Sequence, residues 1–235
     1  MAAASRRART RSYGDEGRRV QALFAAALAV CLLFVAAPGK AQERPVKLVV
    51  FGDSLSTGLG LPIEQAFPAK LSRALKAKGL AVDVADAGVS GDTTSAGLAR
   101  LDWSVPEGTD AVIVELGAND ALRGVDPKIT REALDKILRH LKERGIAVLL
   151  AGMQAPRNLG ADYARGFDAI FPQLAAQQGV LLYPFFLDGV VTDAKLNQRD
   201  GIHPTAEGVD VIVARILPKV EELVAKVREK NTRQR

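Results

Sequence analysis

The chain has 235 residues, 48% of them apolar and 25% charged. That balance excludes disordered and fibrous classes and suits one globular domain once any leader is removed. The formal charge of +5 does not recommend a nucleic-acid partner, because residues 1–41 hold seven Lys/Arg against Asp15 and Glu16, while residues 42–235 hold 25 of each sign.

The first element in chain order reads as an export leader. A basic stretch ending at Arg18-Arg19 precedes a mostly apolar run from Val20 to Ala37, and Gly39 and Ala41 offer small residues for cleavage before Gln42. An uncleaved anchor is the alternative, since the run is just long enough to span a bilayer; its alanine content and the small-residue site favour cleavage. Cys31 lies inside this run behind Val30, a poor lipid-attachment context. As the sole cysteine, it leaves the mature domain (42–235) without a disulfide or thiol chemistry. The expected product is exported, periplasmic or secreted, and monomeric, with no lasting membrane partner.

The body then alternates short apolar runs with amphipathic stretches. Strands are predicted at 47–51, 81–85, 111–116, 146–151 and 180–183. Helices are predicted at 64–78, 130–144 and 163–178, and from Ala206 onward, where Pro218 should kink or break the last one. Alternation of this kind predicts an α/β fold, a flavodoxin-like three-layer α/β/α arrangement around a five-stranded parallel sheet. Ligands of such sheets sit beyond the carboxyl ends of the strands. The polar clusters Gly52-Asp53-Ser54, Gly88–Thr94, Gly117–Asp120 and Gly152–Arg157 all fall there.

Of the two histidines, His140 sits beside Arg139 and Lys142 off the apolar face of its helix and reads as a solvated residue. His203 occupies Asp200-Gly201-Ile202-His203-Pro204, a tight loop entering the last helix. The Asp200 carboxylate can reach across that loop to Nδ1 and leave Nε2 free as a base, although a plain Asp-Gly turn would use the same residues. Ser54 ends the first buried strand, where a tight turn can present its hydroxyl at the sheet edge. A helix N-cap is the other role open to it, one that Ser56 or Thr57 could fill equally well. The surroundings are neither the G-x-S-x-G elbow nor a phosphate-binding P-loop.

Four blocks stand in order: Gly52-Asp53-Ser54-Leu55, Gly88-Val89-Ser90-Gly91-Asp92-Thr93, Leu116-Gly117-Ala118-Asn119-Asp120, and Asp200-Gly201-Ile202-His203-Pro204. On these the chain resembles the SGNH (GDSL-type) hydrolases, and within them the thioesterase I, lysophospholipase and arylesterase group. The resemblance implies Ser54 as nucleophile, His203 as base and Asp200 orienting it, with the N–H groups of Ser54 and Gly91 and the Asn119 amide as oxyanion donors. It also implies that Met153–Asn158 lines an acyl pocket. Asp53, Asp92 and Asp120 read as turn-shaping residues, and Trp103, Phe185 and Phe186 as core. The expected substrates are small acyl esters or thioesters, with no cofactor and no metal, since H-E-x-x-H and clustered Cys or His are missing from the sequence. A carbohydrate O-acetylesterase and a non-catalytic small-ligand module are the alternatives.

Overall fold

The computed structural model describes residues 44–233. The predicted leader, 1–41, lies outside them. Five strands, β1 (Val46–Gly52), β2 (Val82–Asp86), β3 (Ala111–Glu115), β4 (Ala147–Ala151) and β5 (Leu181–Tyr183), form one sheet in the order β2-β1-β3-β4-β5. All four pairings are parallel. Every residue of β3 is buried, as are all but Lys47 of β1, because these central strands are covered on both faces. β2 at the edge is half-exposed.

The helices are α1 (Ser54–Thr57), α2 (Phe67–Ala77), α3 (Thr94–Ser104), α4 (Ala118–Leu122), α5 (Pro127–Glu143), α6 (Ala161–Asp168), α7 (Ile170–Gln178) and α8 (Ala206–Arg233). α2 packs on α8 over one face of the sheet, and α5 packs on α3 and α7 over the other. The predicted three-layer α/β/α architecture is therefore the observed one.

Three local expectations change. The single helix predicted over 163–178 is two, α6 and α7, meeting at Ala169. Pro172 explains the break, since a proline ring opposes the carbonyl four residues back, here that of Asp168. α8 runs through Pro218 without the predicted break. Pro218 and Ala214, whose carbonyl loses its partner, both face solvent, while buried Val213, Ile216 and Val220 hold the helix to the sheet. α3 and α4 were not anticipated.

The order in which strands are added reverses between β1 and β3, the neighbours from which the chain departs to opposite sides. Ligand clefts of open α/β sheets lie at such a point. The turns after β1 and β3 both open there, carrying Ser54 and Asn119.

Candidate active site

Ser54 follows β1 directly because Gly52 and Asp53 make the turn. A side chain at Gly52 would stand 2.1 Å from Ser56 Oγ and 2.5 Å from Glu115 Oε2, so only glycine fits. Asp53 Oδ1 accepts the Leu55 N–H at 3.0 Å and caps α1, a role that neither Ser56 nor Thr57 takes. Ser54 is left as the first residue of α1, 8% exposed, with its hydroxyl 2.9 Å from His203 Nε2.

His203 is carried by the loop before α8. Its Nδ1 lies 2.7 Å from Asp200 Oδ2, while Asp200 Oδ1 accepts the N–H groups of Ile202 at 2.9 Å and His203 at 3.0 Å. These bonds, that from the imidazole first, hold the Asp200 carboxyl down at about 2, although its side chain is 45% exposed. Hydrogen bonding to the charged form outweighs the slight burial. An ionised Asp200 fixes the proton on Nδ1 and leaves the Nε2 lone pair facing Ser54.

The other two predicted residues arrive from β2 and β3. Gly91 adopts φ +86°, a conformation that favours glycine, and its carbonyl accepts from Arg123 at 2.8 Å. Its N–H has no hydrogen-bond partner among the described residues. Asn119, half-buried in α4, donates from Nδ2 to Asp53 Oδ2 at 3.0 Å. All five predicted residues thus lie on loops and helix starts at the carboxyl edge of the sheet.

A cavity of about 450 Å³ opens beside them, mostly apolar, with Leu55, Ala121, Met153, Ala155, Phe185 and Ile202 in its wall. Asp168 of α6 braces it by accepting from the Ala155 N–H at 2.8 Å and from Arg157 at 2.7 Å. A site of this shape takes an apolar chain in the cavity and a polar, reactive group at the mouth.

Residues 50–211 match the model of the GDSL-like lipase/acylhydrolase family. An arylesterase of Vibrio mimicus is 43% identical over 168 residues, covering 71% of this chain and 84% of that protein. Esterase TesA of Pseudomonas aeruginosa is 36% identical over 198 residues, 84% of this chain and 98% of the relative. The chain belongs to the GDSL-like lipase/acylhydrolase family. Among solved structures, TesA superposes with a TM-score of 0.72 at 37% identity over 75% of this chain and 99% of that one. AlinE4, an SGNH-hydrolase family esterase, gives 0.66 at 44% identity over 77% and 98%. This GDSL-like hydrolase is thus a carboxylic ester hydrolase.

Its site has supports that sequence reasoning missed. Arg100 of α3, 7% exposed, donates to Asp92 Oδ2 at 2.6 Å and to the carbonyls of Ala87 and Gly52 at 2.7 and 2.9 Å, and lies over the Phe51 ring at 4.3 Å. It pins the loop bearing Gly91 to the end of β1. Asp92 is therefore an ion-pair partner rather than only a turn residue. Asp120, fully buried, accepts from the Thr94 N–H and hydroxyl at 2.8 and 2.6 Å and from Thr130 at 3.1 Å, tying α3, α4 and α5 together.

The aromatic residues also divide differently. Phe186 is core, as predicted, but Phe185 lines the cavity of this hydrolase and Trp103 is 75% exposed. Of the predicted pocket segment, Met153–Arg157 faces the cavity and Asn158 does not. His140 is half-exposed and pairs with Asp102 of α3 at 2.6 Å.

Proposed function

We propose that this hydrolase cleaves acyl esters through a Ser54–His203–Asp200 triad, with the N–H groups of Ser54 and Gly91 and the Asn119 amide as oxyanion donors. The observation that carries the reading is the unbroken hydrogen-bonded chain from the Ser54 hydroxyl through both imidazole nitrogens to Asp200. His203 Nε2 takes the serine proton as Oγ bonds to the acyl carbon. The negative charge that develops on the acyl oxygen settles against the three donors, and His203 returns the proton to the leaving alcohol or thiol as that bond breaks. Water then repeats the sequence on the acyl-enzyme and frees the acid.

The substrates are small molecules with an apolar acyl part, since the apolar cavity is far larger than an acetyl group needs. Aryl esters, acyl-thioesters and lysophospholipids all satisfy that requirement, and the names of the relatives point the same way: arylesterase in one, thioesterase and lysophospholipase in another. Residues 1–41 are proposed to act as a cleaved leader that exports the domain. Their basic start, apolar run and small-residue site support this.

A series of p-nitrophenyl esters on the domain, with Ser54→Ala as control, tests the reading. Activity should rise from acetate to medium-chain esters and vanish in the variant. Collapse beyond acetate would favour the carbohydrate O-acetylesterase instead, and no hydrolysis at all would favour a ligand-binding module.

A further inference from the structure

A pair of buried acids lies behind the nucleophile and has no step in the mechanism above. Asp53 is fully buried between β1 and α1, and Glu115 is fully buried at the end of β3. Asp53 Oδ1 caps α1 through the Leu55 N–H, and Oδ2 receives the Asn119 amide, each at 3.0 Å. The Asp53 N–H donates to Glu115 Oε2 at 3.3 Å, and the Ser56 hydroxyl donates to the same oxygen at 2.6 Å. Glu115 Oε1 has no hydrogen-bond partner among the described residues.

A primary amide holds its two N–H bonds in one plane, so an acceptor that fixes one of them aims the other. An unclamped asparagine turns about its last torsion and exchanges its oxygen and nitrogen. An oxyanion donor with that freedom would present oxygen as readily as N–H, and oxygen repels the charge it should stabilise. We propose that Asp53 is a positioning residue of the oxyanion hole: its carboxylate clamps one Asn119 N–H and so directs the other toward the acyl oxygen. The proposal rests on the reading of Asn119 as an oxyanion donor.

The pair of acids can supply such a clamp because charge and proton divide between them. A charge on Asp53 opposes ionisation of the buried Glu115. Each acid accepts two donors, but those of Asp53 are spread over both of its oxygens, whereas Glu115, stripped of water, has both on Oε2 and none on Oε1, and so gains less from ionising. The charge therefore settles on Asp53 and the proton on Glu115. His203 and Asp120 also face Asp53, with opposite effects on its charge. Burial lifts Asp53 to about 6 and Glu115 well above the ordinary glutamate value, so at neutral pH the clamp is charged.

A double-mutant cycle between positions 53 and 119 tests this. In Asp53→Asn one side-chain oxygen is kept for the Leu55 N–H, and an NH₂ then meets Asn119, turning its amide so that oxygen faces the substrate. kcat for a p-nitrophenyl ester should fall about 10²- to 10³-fold with KM changed less than about threefold. Asp53→Ser, which still caps α1 but is too short to clamp Asn119, should lose on the order of 10- to 10²-fold in kcat. It also carries the cycle if Asp53→Asn does not fold. Placed on Asn119→Ala, either change should cost less than about threefold more. Losses that multiply in the double variants, or an unchanged kcat in the single ones, would overturn the clamp while leaving Asn119 as a donor. Wild-type kcat in Asn119→Ala alone would overturn the oxyanion assignment, and the clamp with it.

Discussion

Ser54 Oγ and His203 Nε2 meet at 2.9 Å although 149 residues separate them. Two ties bring their loops together. Gln198 donates from one amide nitrogen to the Leu59 carbonyl just past α1 at 2.7 Å and to the Pro204 carbonyl at 3.0 Å. Lys70 of α2, with its side chain 6% exposed, reaches the Ala206 carbonyl at 2.7 Å and Asp210 at 2.6 Å, anchoring the first turn of α8. The imidazole is thus positioned by the layer of helices as well as by its own loop.

Replacing Asp200 with Asn should lower kcat on the order of 10⁴-fold, because an amide can stabilise the wrong imidazole tautomer. Steady-state kinetics at neutral pH checks this. The pairing also contributes stability. With its folded value at about 2 against a usual 3.8, that contribution is fully present above 3.8 and lost as pH falls through about 2. Thermal melts should show the difference between wild type and Asp200→Asn shrinking only below that upper value; a constant difference down to pH 2 would show that the charge is not what matters.

Arg100→Met should destabilise the fold by about 3–5 kcal/mol, since it strands Asp92 in a mostly buried position, removes the side-chain donor of the Ala87 carbonyl and leaves the Gly52 carbonyl with the Val89 N–H alone. Urea unfolding measures the loss. kcat should fall with it, because the loop bearing Gly91 loses its anchor. Equal stability in variant and wild type would mean that solvent replaces the guanidinium.

The cavity should set the acyl length. Ala155 is 4% exposed and lies in its wall, so Ala155→Leu fills space that a long chain would use. kcat/KM for a dodecanoyl ester should fall about tenfold or more while the acetyl ester changes little. A uniform loss across chain lengths would place the acyl chain elsewhere.

Glu115→Gln tests where the buried proton resides. The unfolded chain releases that proton near 4.5, whereas burial holds it in the folded state to much higher pH. The folded protein binds more protons across that window, so Glu115 costs stability as pH rises through it. Wild type should therefore lose melting temperature relative to Glu115→Gln as pH rises above 4.5. A flat difference would mean that Glu115 ionises as readily as in water.

The sheet was legible because each strand is a short apolar run, and the four loop blocks were legible because chemistry confines their residue types. α3 was not legible. Its buried face is Thr94, Gly97, Arg100 and Leu101, so the helical period is present but written with little hydrophobicity. That stripe, with an arginine at helical spacing from two small residues, was the available signal for the role of Arg100. The contact between Asp53 and Asn119 left no trace, because 66 residues separate them and each also fits a turn of its own. Pro218 misled in the opposite sense: the cost of a proline in a helix falls when the freed carbonyl faces water.

The most direct test of the Ser54 nucleophile is mass spectrometry after reaction with a fluorophosphonate. The expected result is one phosphonyl adduct on the peptide carrying Ser54, absent from Ser54→Ala and greatly slowed in a folded His203→Ala variant. An adduct at another residue, or undiminished labelling of Ser54→Ala, would contradict it.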